Sequence, residues 1–476
     1  MLRVFAPAVL LSFPHGVGRL LIFSYLESVH LMLPTRTNTL RSTKSLLPQA
    51  GRLTLAALFL LGLAAGTPAA HAQGYTIKTL TTFTGANGSD VNGDLLLSNG
   101  IFYGTTQTGG ANGYGEVFSV PITGGAPTVL VSFNNDLVFG GVAPEANAKL
   151  VLSGNTLYGT TVKGGANGFG AVFSVPITGG ALTTLASFEG NGSSVTAMTN
   201  GANPAAGLTL SGTTLYGTTE FGGIRGYGTV FSIPVTGGAI KTLATFDQSV
   251  SSGPTSDLLL SGGKLYGTTQ YAGQDNRGAV FSVPITGGQP TDLASFNGDN
   301  GSYPSGPLTL LGGKLYGTTS YGGPTNEGTV FSVPTTGGGA TLLSDFSFTN
   351  AVGPSGGLTQ VGDTLYGTAA GGLGLGYHSG IFFSVPVTGG KPTILASFNF
   401  LNGAGPTGAL IYSDGIFYGS TLSGSGGDLK GRGSIFAIIP DGAPVPEAST
   451  WVSFGLLLVG GLGAMALRTR RRTAAA

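Results

Sequence analysis

The chain has 476 residues, of which 86 are Gly and 25 are Pro, with 41% hydrophobic residues, 9% charged residues and no Cys. The absence of Cys excludes a disulfide framework and a thiolate metal site. The formal net charge is +1, but residues 73–440 contain eleven Lys and Arg against seventeen Asp and Glu, a net charge of −6, and this mildly acidic composition argues against a nucleic-acid partner.

The N-terminal part, residues 1–72, has the features of a leader that ends in a secretory signal peptide. An apolar run occupies residues 53–65 after a basic residue, and Ala70-His71-Ala72 then precedes Gln73. A basic residue, a short apolar run and a small-residue cleavage site in this order are typical of a signal peptide and not of a spanning helix. We therefore expect export, with cleavage after Ala72.

One pentapeptide, Leu-Tyr-Gly-Thr-Thr, recurs with small changes seven times in residues 73–440. A fixed period of about 50 residues predicts a repeat architecture, because each unit is one supersecondary element that buries its apolar face against its neighbours. The tyrosines of the pentapeptide are Tyr103, Tyr158, Tyr216, Tyr266, Tyr316, Tyr366 and Tyr418.

Each unit contains four candidate strands. A Leu-x-Leu segment such as residues 308–310 alternates with the period of a strand, and a tight turn joins it to the Leu-Tyr-Gly-Thr-Thr strand. A Gly-rich loop leads to a Val-Phe-Ser-Val-Pro strand such as residues 280–284, and a Thr-Gly-Gly turn leads to a Thr-Leu-x-x-Phe strand. Four antiparallel strands in about 50 residues are typical of a propeller blade.

The two ends of the array predict how it closes. Residues 75–83 form a strand with no preceding partner, whereas the last unit, residues 410–440, has only three strands. If the first strand completes the last sheet, the sheet edges are protected from aggregation. We therefore predict an all-β fold, a seven-bladed β-propeller of four-stranded antiparallel blades. A β-solenoid with the same strands is the alternative.

The repeated aromatic residues have two interpretations, packing between blades and a row that stacks on carbohydrate. A Tyr and two Phe at fixed places in every unit favour packing, because aromatic side chains dominate such interiors. The Gly that follows each Tyr, such as Gly317, indicates a close backbone approach or a bulge. We expect the Thr pair after it to pair across strands.

Binding is more readily expected in the variable loops. The two long connections of each unit share one face of the disc, and the gap between one unit and the next is enlarged at residues 134–149 and 189–207. Loops on a rigid scaffold commonly carry binding residues. We therefore expect a polysaccharide or another surface protein to dock over the second and third units. The candidate binding residues are Asn112, Tyr114, Asp136, Glu145, Asn167, Phe169, Arg225 and Tyr227.

The repeats offer no recognisable catalytic or metal-binding motif, and we expect no cofactor. His378 is the single His of residues 73–440, so neither a His-rich metal site nor a Ser-His-Asp triad repeated around the ring is available there. Glycoside hydrolysis needs a spaced pair of carboxylates, and the sequence places no such pair. Clustered carboxylates, or an Arg, His and Tyr group, at the mouth of the central channel would favour an enzyme.

The C-terminal part begins with a linker, residues 441–450, which contains Pro446 and Glu447. An apolar stretch and basic residues follow in residues 451–476, and the basic residues include Arg470, Arg471 and Arg472. The apolar stretch is long enough to anchor in a membrane. The order resembles the PEP-CTERM sorting signal of Gram-negative envelope proteins, although Ala448 replaces the second Pro of that motif. The resemblance implies recognition by an exosortase, cleavage near Pro446 and Glu447, and transfer to the cell surface or extracellular matrix.

With this ending, the units of residues 75–440 resemble the GloVer tandem repeat of bacterial surface proteins. The resemblance implies an extracellular location and transfers no activity to any residue. We expect a non-catalytic binding, adhesion or matrix module. One alternative is a propeller enzyme, a lyase or hydrolase acting on polysaccharide, and another is a purely structural matrix protein.

Overall fold

The computed structural model describes residues 74–443, except 92, 135–148, 191–199, 248–251, 272, 274, 348–351, 355, 372–379, 400 and 424–431. These residues form seven antiparallel sheets and no helix. The sheets follow one another around a central channel and make a seven-bladed β-propeller, which confirms the predicted fold. The described residues contain no helix long and apolar enough to cross a membrane. The leader, the linker from residue 444 and the apolar C-terminal segment lie outside the described residues.

Each blade has an inner, a second, a third and an outer strand, counted from the channel. The inner strands are Leu96–Ser98, Val151–Ser153, Thr209–Ser211, Leu259–Ser261, Thr309–Leu311, Thr359–Val361 and Ile411–Ser413. Five blades have a short strand before the inner one that pairs with the same second strand: Ser89–Val91, Ser252–Pro254, Ser302–Pro304, Val352–Pro354 and Ala404–Pro406.

The other strands carry the sequence signatures of the repeat. The second strands are Ile101–Thr108, Thr156–Thr161, Thr214–Thr219, Lys264–Tyr271, Lys314–Tyr321, Thr364–Gly371 and Ile416–Ser423. The third strands are Glu116–Pro121, Ala171–Pro176, Thr229–Pro234, Ala279–Pro284, Thr329–Pro334, Ile381–Pro386 and Ser434–Pro440. The outer strands are Thr128–Ser132, Thr183–Ser187, Lys241–Thr245, Thr291–Ser295, Thr341–Asp345, Thr393–Ser397 and, in the seventh blade, the N-terminal strand Tyr75–Thr82.

The Gly of the pentapeptide makes room for the Phe of the third strand. Gly267 pairs with Phe281 across the two strands, and a Cβ atom on Gly267 would lie 2.7 Å from the Phe281 ring. The same contact recurs in every blade, for example between Gly317 and Phe331 at 2.6 Å. This is the close approach predicted from the sequence, and it explains why no larger residue fits there.

The hydrophobic core consists of seven layers, one between each pair of neighbouring blades. In each layer a Phe after an outer strand contacts the third-strand Phe of the next blade edge to face. Phe296 and Phe331 are an example, with ring centroids 4.8 Å apart. Such pairs add about 1 kcal/mol to the free energy of unfolding beyond area burial. The predicted packing role of the repeated aromatic residues is thereby confirmed.

A bulge in the outer strand supplies a second link between blades. The pairing register shifts at Leu293, so its carbonyl group is left out of the ladder. The Gly338 N–H group, in the Thr-Gly-Gly turn of the next blade, donates to that carbonyl at 3.3 Å. Each bulge therefore aims one backbone acceptor at the neighbouring turn.

The N-terminal strand closes the ring. It pairs antiparallel with the last third strand from Tyr75 opposite Pro440 to Thr82 opposite Ser434. Phe83, which follows it, packs edge to face on Phe118 of the first blade with centroids 4.9 Å apart. The predicted arrangement of one N-terminal and three C-terminal strands is confirmed, and the β-solenoid alternative is wrong.

The strand directions divide the propeller into two faces. The turn between inner and second strands and the Thr-Gly-Gly turn lie on one side, the short-turn face. The Gly-rich loop and the connection from one blade to the next lie on the other side, the long-loop face. Most of the two enlarged connections, residues 135–148 and 191–199, lies outside the described residues.

Candidate functional site

Two of the predicted binding residues hold their own loops together. The Asn112 side-chain amide donates to the carbonyl oxygen of Phe133 at 2.9 Å, and Asn167 makes the equivalent bond to Phe188 at 3.0 Å. In the fifth blade the Thr325 hydroxyl bonds to the Phe346 carbonyl in the same way. These bonds tie the Gly-rich loop to the end of the outer strand, which is a structural role.

The other predicted binding residues divide between core and surface. Tyr114 and Tyr227 are partly buried against the layers between blades. Phe169 is 38% exposed and Arg225 is exposed, both on the long-loop face. Asp136 and Glu145 lie outside the described residues, as do the signal-peptide residues Ala70, Ala72 and Gln73 and the sorting residues Pro446, Glu447, Arg470, Arg471 and Arg472.

Sequence reasoning missed an exposed row of aromatic residues on the long-loop face. Phe221, Tyr271 and Tyr321 occupy the fifth position after the pentapeptide Tyr in three successive units, at or near the end of the second strand. They are 40%, 42% and 55% exposed. Aligning the units at that position finds them, because no other unit has an aromatic residue there.

Tyr303 completes this row from the neighbouring short strand. Its ring centroid lies 5.9 Å from that of Tyr271 and 6.0 Å from that of Tyr321, with edge-to-face orientation. We call Phe221, Tyr271, Tyr303 and Tyr321 the aromatic row. Its three Tyr form one continuous surface across the fourth and fifth blades.

Tyr303 has a left-handed backbone conformation with φ of 56°. The residues at the equivalent place in other blades also have positive φ, and they are types that tolerate it: Asp90, Asn203, Gly253, Gly353 and Gly405. A bulky side chain in this region costs about 1–3 kcal/mol. Such an outlier supports a functional role for Tyr303, because its side chain is only partly buried and its ring contacts the exposed rings of Tyr271 and Tyr321.

The central channel contains a second group of candidate functional residues. Three of the seven residues that stand two positions before an inner strand are charged, and all three line the channel. These are Asp94, Lys149 and Asp257, which we call the charged ring. All three line both a wide cavity of about 800 Å³ and a narrow one of about 110 Å³. The charged ring therefore lies where the two parts of the channel meet.

Backbone groups fix both carboxylates of the charged ring. The Ala409 N–H group donates to Asp94 Oδ1, and the Gly207 N–H group donates to Asp257 Oδ1, each at 2.6 Å. Each donor belongs to the preceding blade, so the ring residues also join blades. No single unit marks these residues as functional. They are found by comparing the residue two positions before the inner strand across all units.

Burial raises the pKa of both acids of the charged ring, and the charge of Asp257 adds to the effect on Asp94. Burial, followed by the negative charge of Asp257, raises the pKa of Asp94 to about 6, against the opposing effects of Lys149 and the Ala409 N–H group. Burial also raises the pKa of Asp257, while Lys149 and the Gly207 N–H group lower it. The three side chains therefore act as one electrostatic group.

No group of three or more His, Asp or Glu that could hold a metal ion occurs among the described residues. His378 lies outside them. The charged ring supplies two carboxylates, and the positive charge of Lys149 beside them disfavours a metal cation.

Solved structures with some similarity have diverse functions. A nidogen/laminin complex is 14% identical, covering 60% of this chain and 90% of that chain with a TM-score of 0.36. The phage phi92 endosialidase is 14% identical, covering 78% and 70% with a TM-score of 0.43. A putative 6-phosphogluconolactonase from Bacteroides uniformis is 18% identical, covering 69% and 89% with a TM-score of 0.41. At these values the similarities support no functional conclusion.

Sequence comparison is more informative about the family. No curated protein matches the chain. Residues 67–249 and 193–379 each match the Gloeobacter/Verrucomicrobia repeat, and the two matches together cover most of the blades. The chain belongs to the Gloeobacter/Verrucomicrobia (GloVer) repeat family.

Proposed function

We propose that the protein is a non-catalytic binding module of the cell surface or extracellular matrix, and that its long-loop face binds a neutral polysaccharide. The aromatic row carries this proposal. Tyr271, Tyr303 and Tyr321 present adjoining rings on the surface, where exposed apolar area commonly marks an interaction site. The apolar C–H faces of sugar rings pack on aromatic rings, and the Tyr hydroxyl groups can bond to sugar hydroxyls.

The backbone next to the row leaves space for a ligand ring. Gly253 occupies the repeat position of Tyr303 in the fourth blade, between Phe221 and Tyr271. Gly253 itself is buried, and a Cβ atom there would lie 3.4 Å from the Tyr271 ring, so this place is closed to a ligand. Gly353 takes the same position on the other side of Tyr321. A Cβ atom on Gly353 would meet nothing within 4 Å, so an open place that can accept a sugar ring adjoins Tyr321.

The charge of the repeats favours a neutral ligand. Residues 73–440 have a net charge of −6, which disfavours nucleic acid and polyanionic polysaccharides. The predicted site over the second and third units, with Phe169 and Arg225, adjoins the row at its third-blade end. We therefore extend the proposed binding face over the second to fifth blades.

A polysaccharide-cleaving enzyme is the main alternative, and the meeting of Asp94 and Asp257 in the channel is the feature that would favour it. Three observations support binding instead. Each carboxylate has an oxygen held by a backbone N–H group, Leu side chains make up much of the wide cavity wall, and the aromatic row lies on the long-loop face, away from the wide cavity. A purely structural matrix protein is the other alternative, and the exposed row argues against it.

The surface location is part of the same proposal. Membership of the repeat family, the signal-peptide pattern and the resemblance to a PEP-CTERM signal support export and processing by an exosortase. The apolar segment after residue 450 would hold the chain in the membrane until processing. The corresponding measurement is mass spectrometry of envelope material, where loss of residues 451–476 is expected.

The binding proposal is tested with polysaccharide isolated from the producing cells. Affinity electrophoresis should show retardation of the parent chain, and Tyr271→Ala and Tyr321→Ala should each weaken retention about tenfold. Tyr412→Ala is the matched control, because Tyr412 is 43% exposed but lies in the seventh blade away from the row. Equal retention of all variants, or no retention of the parent, would contradict the proposal.

Tyr303→Gly provides a sharper version of this test. The substitution removes the ring and relieves the left-handed strain, so polysaccharide retention should fall while the Tm stays level or rises. A loss of both retention and Tm would point to misfolding instead of a lost contact. Unchanged retention would remove Tyr303 from the site.

A further inference from the structure

The central channel is an apolar funnel with a charged floor. Each inner strand runs from the long-loop face toward the short-turn face. Residues after the charged ring line the cavity of about 800 Å³, and residues before it line the cavity of about 110 Å³. The wide part therefore opens on the short-turn face, opposite the aromatic row. The half-buried apolar residues that line it include Leu97, Leu152, Leu210 and Leu260.

The size and lining of the wide part fit a small molecule. Ligand cavities commonly have volumes of about 300–1,000 Å³ and combine apolar walls with a few convergent polar groups. Here the convergent groups are Asp94, Lys149 and Asp257. A ligand in the funnel would bury its apolar body against the Leu side chains while one end met the charged ring.

The charged ring has an excess of negative charge. With both carboxylates ionised, Asp94, Lys149 and Asp257 together have one net negative charge, and a poorly solvated excess charge is costly unless it is neutralised. A proton can neutralise it, which agrees with the raised pKa of Asp94. A bound monovalent cation can neutralise it equally well, and would then favour the ionised form of both acids.

The geometry favours an organic cation. The N–H groups of Ala409 and Gly207 hold Asp94 and Asp257 in place before any ligand arrives, which lowers the entropic cost of binding. Thr407 lines the narrow part of the channel, and its buried hydroxyl oxygen has no hydrogen-bond partner. An ammonium group has three N–H donors, enough for two carboxylates and one hydroxyl.

We propose that the channel binds a primary amine with an apolar body, and that this ligand enters from the short-turn face. The ammonium group sits between Asp94 and Asp257, and Lys149 limits the site to a single positive charge. Divalent metal ions are disfavoured because Lys149 repels them and only two carboxylates converge. This site is separate from the aromatic row, so the two proposals stand or fall independently.

Hexylammonium is a suitable probe, measured by titration calorimetry on the full chain at neutral pH. Hexanol and hexanoate have the same apolar body with a neutral or negative head. Hexylammonium should bind at one site per chain and at least about tenfold more tightly than either. Calcium should not compete. Equal binding of hexylammonium and hexanol, or no binding of hexylammonium, overturns the proposal without any mutation.

Substitutions that are expected to change the affinity in opposite directions then locate the site. Asp94→Asn and Asp257→Asn should each weaken hexylammonium binding about tenfold or more, whereas Lys149→Gln should strengthen it by removing the competing charge. Asp299→Asn is the control, because Asp299 is an exposed carboxylate of an outer loop. The Tm of each variant checks folding. Unchanged affinity in both Asn variants, or weaker binding in Lys149→Gln, overturns the proposal.

Discussion

The N–H group of Gly125 donates a 3.1 Å hydrogen bond to the carbonyl oxygen of Leu80. Leu80 lies at the bulge of the N-terminal strand, and Gly125 lies in the Thr-Gly-Gly turn of the first blade. The same bond joins other neighbouring blades, for example Gly288 to Leu243 at 3.0 Å. The N-terminal strand therefore acts as a complete outer strand, because it makes both the ladder and the link to the next blade.

Deleting residues 73–83 is expected to destabilise the propeller strongly. The deletion removes the outer strand of the seventh blade and the Phe83 ring packed on Phe118, so the third strand becomes an exposed edge. We expect the free energy of unfolding to fall by at least about 3 kcal/mol, because the loss of one buried Phe side chain alone costs about that much. Chemical denaturation measures the change.

The control for this deletion is a chain that begins at Gln73, which keeps the whole N-terminal strand. Its unfolding midpoint should match that of the chain processed by the producing cells. If the deleted chain unfolds at the same denaturant concentration as the control, the N-terminal strand contributes nothing and the ring closes in another way.

Gly267→Ala should destabilise the fourth blade from within. A Cβ atom would lie 2.7 Å from Phe281 Cζ and 3.1 Å from Leu258, and overpacking of a rigid core costs about 1–3 kcal/mol. The Tm of the variant should fall. Because the clash involves the far end of the Phe281 ring, Phe281→Leu in the same chain should restore part of the loss.

The double variant separates the steric explanation from a simple backbone effect. Additive losses in Gly267→Ala and Phe281→Leu would show that the two residues are uncoupled. That result would contradict the proposed reason for the Gly in every unit.

Stability should fall as the pH rises through about 6, because of Asp94. Burial raises the pKa of this carboxyl to about 6, so the folded state binds a proton more tightly than the unfolded chain does. The contribution is fully present below the ordinary Asp pKa and is lost as the pH passes the folded value. Asp257, whose pKa burial also raises, adds to the effect, and Lys149 opposes it.

Asp94→Asn should flatten this dependence. Asn keeps an oxygen that can accept from the Ala409 N–H group but has no charge to bury, so at pH 7 the variant should be at least as stable as the parent chain. Tm values measured from pH 4 to pH 7 test this expectation, with Asp299→Asn as an exposed control. A parent and Asp94→Asn with parallel pH profiles would contradict it.

Local periodicity was sufficient to predict the architecture. The alternation around residues 308–310, the pentapeptide and the Thr-Gly-Gly turn each specify a strand or a turn through short-range preferences. The missing fourth strand of the last unit predicted the closure with residues 75–83. These features depend on neighbours in the sequence or on a repeated pattern, and both are visible without coordinates.

The candidate sites could not be identified from the repeat pattern, because they depend on how side chains of different units are placed in space. Asn112 and Asn167 looked like binding residues because they are polar and lie in variable loops, yet their amides bond to backbone carbonyl groups at the ends of the outer strands. Side-chain direction decides between these roles, and the sequence pattern does not contain it.

The seven four-stranded units, the ring closure and the packing roles of the repeated Phe and Gly could be predicted from the sequence, because they follow from local propensity and from the need of each sheet to bury both faces. Only the tertiary structure brought Asp94, Lys149 and Asp257 to one channel and Tyr303 between Tyr271 and Tyr321. Residues of different blades, as far apart in the sequence as Asp94 and Asp257, come together because the closed ring places equivalent positions of the blades around one axis and on one face. Their mutual distances are set by the closed ring, and no single unit encodes them.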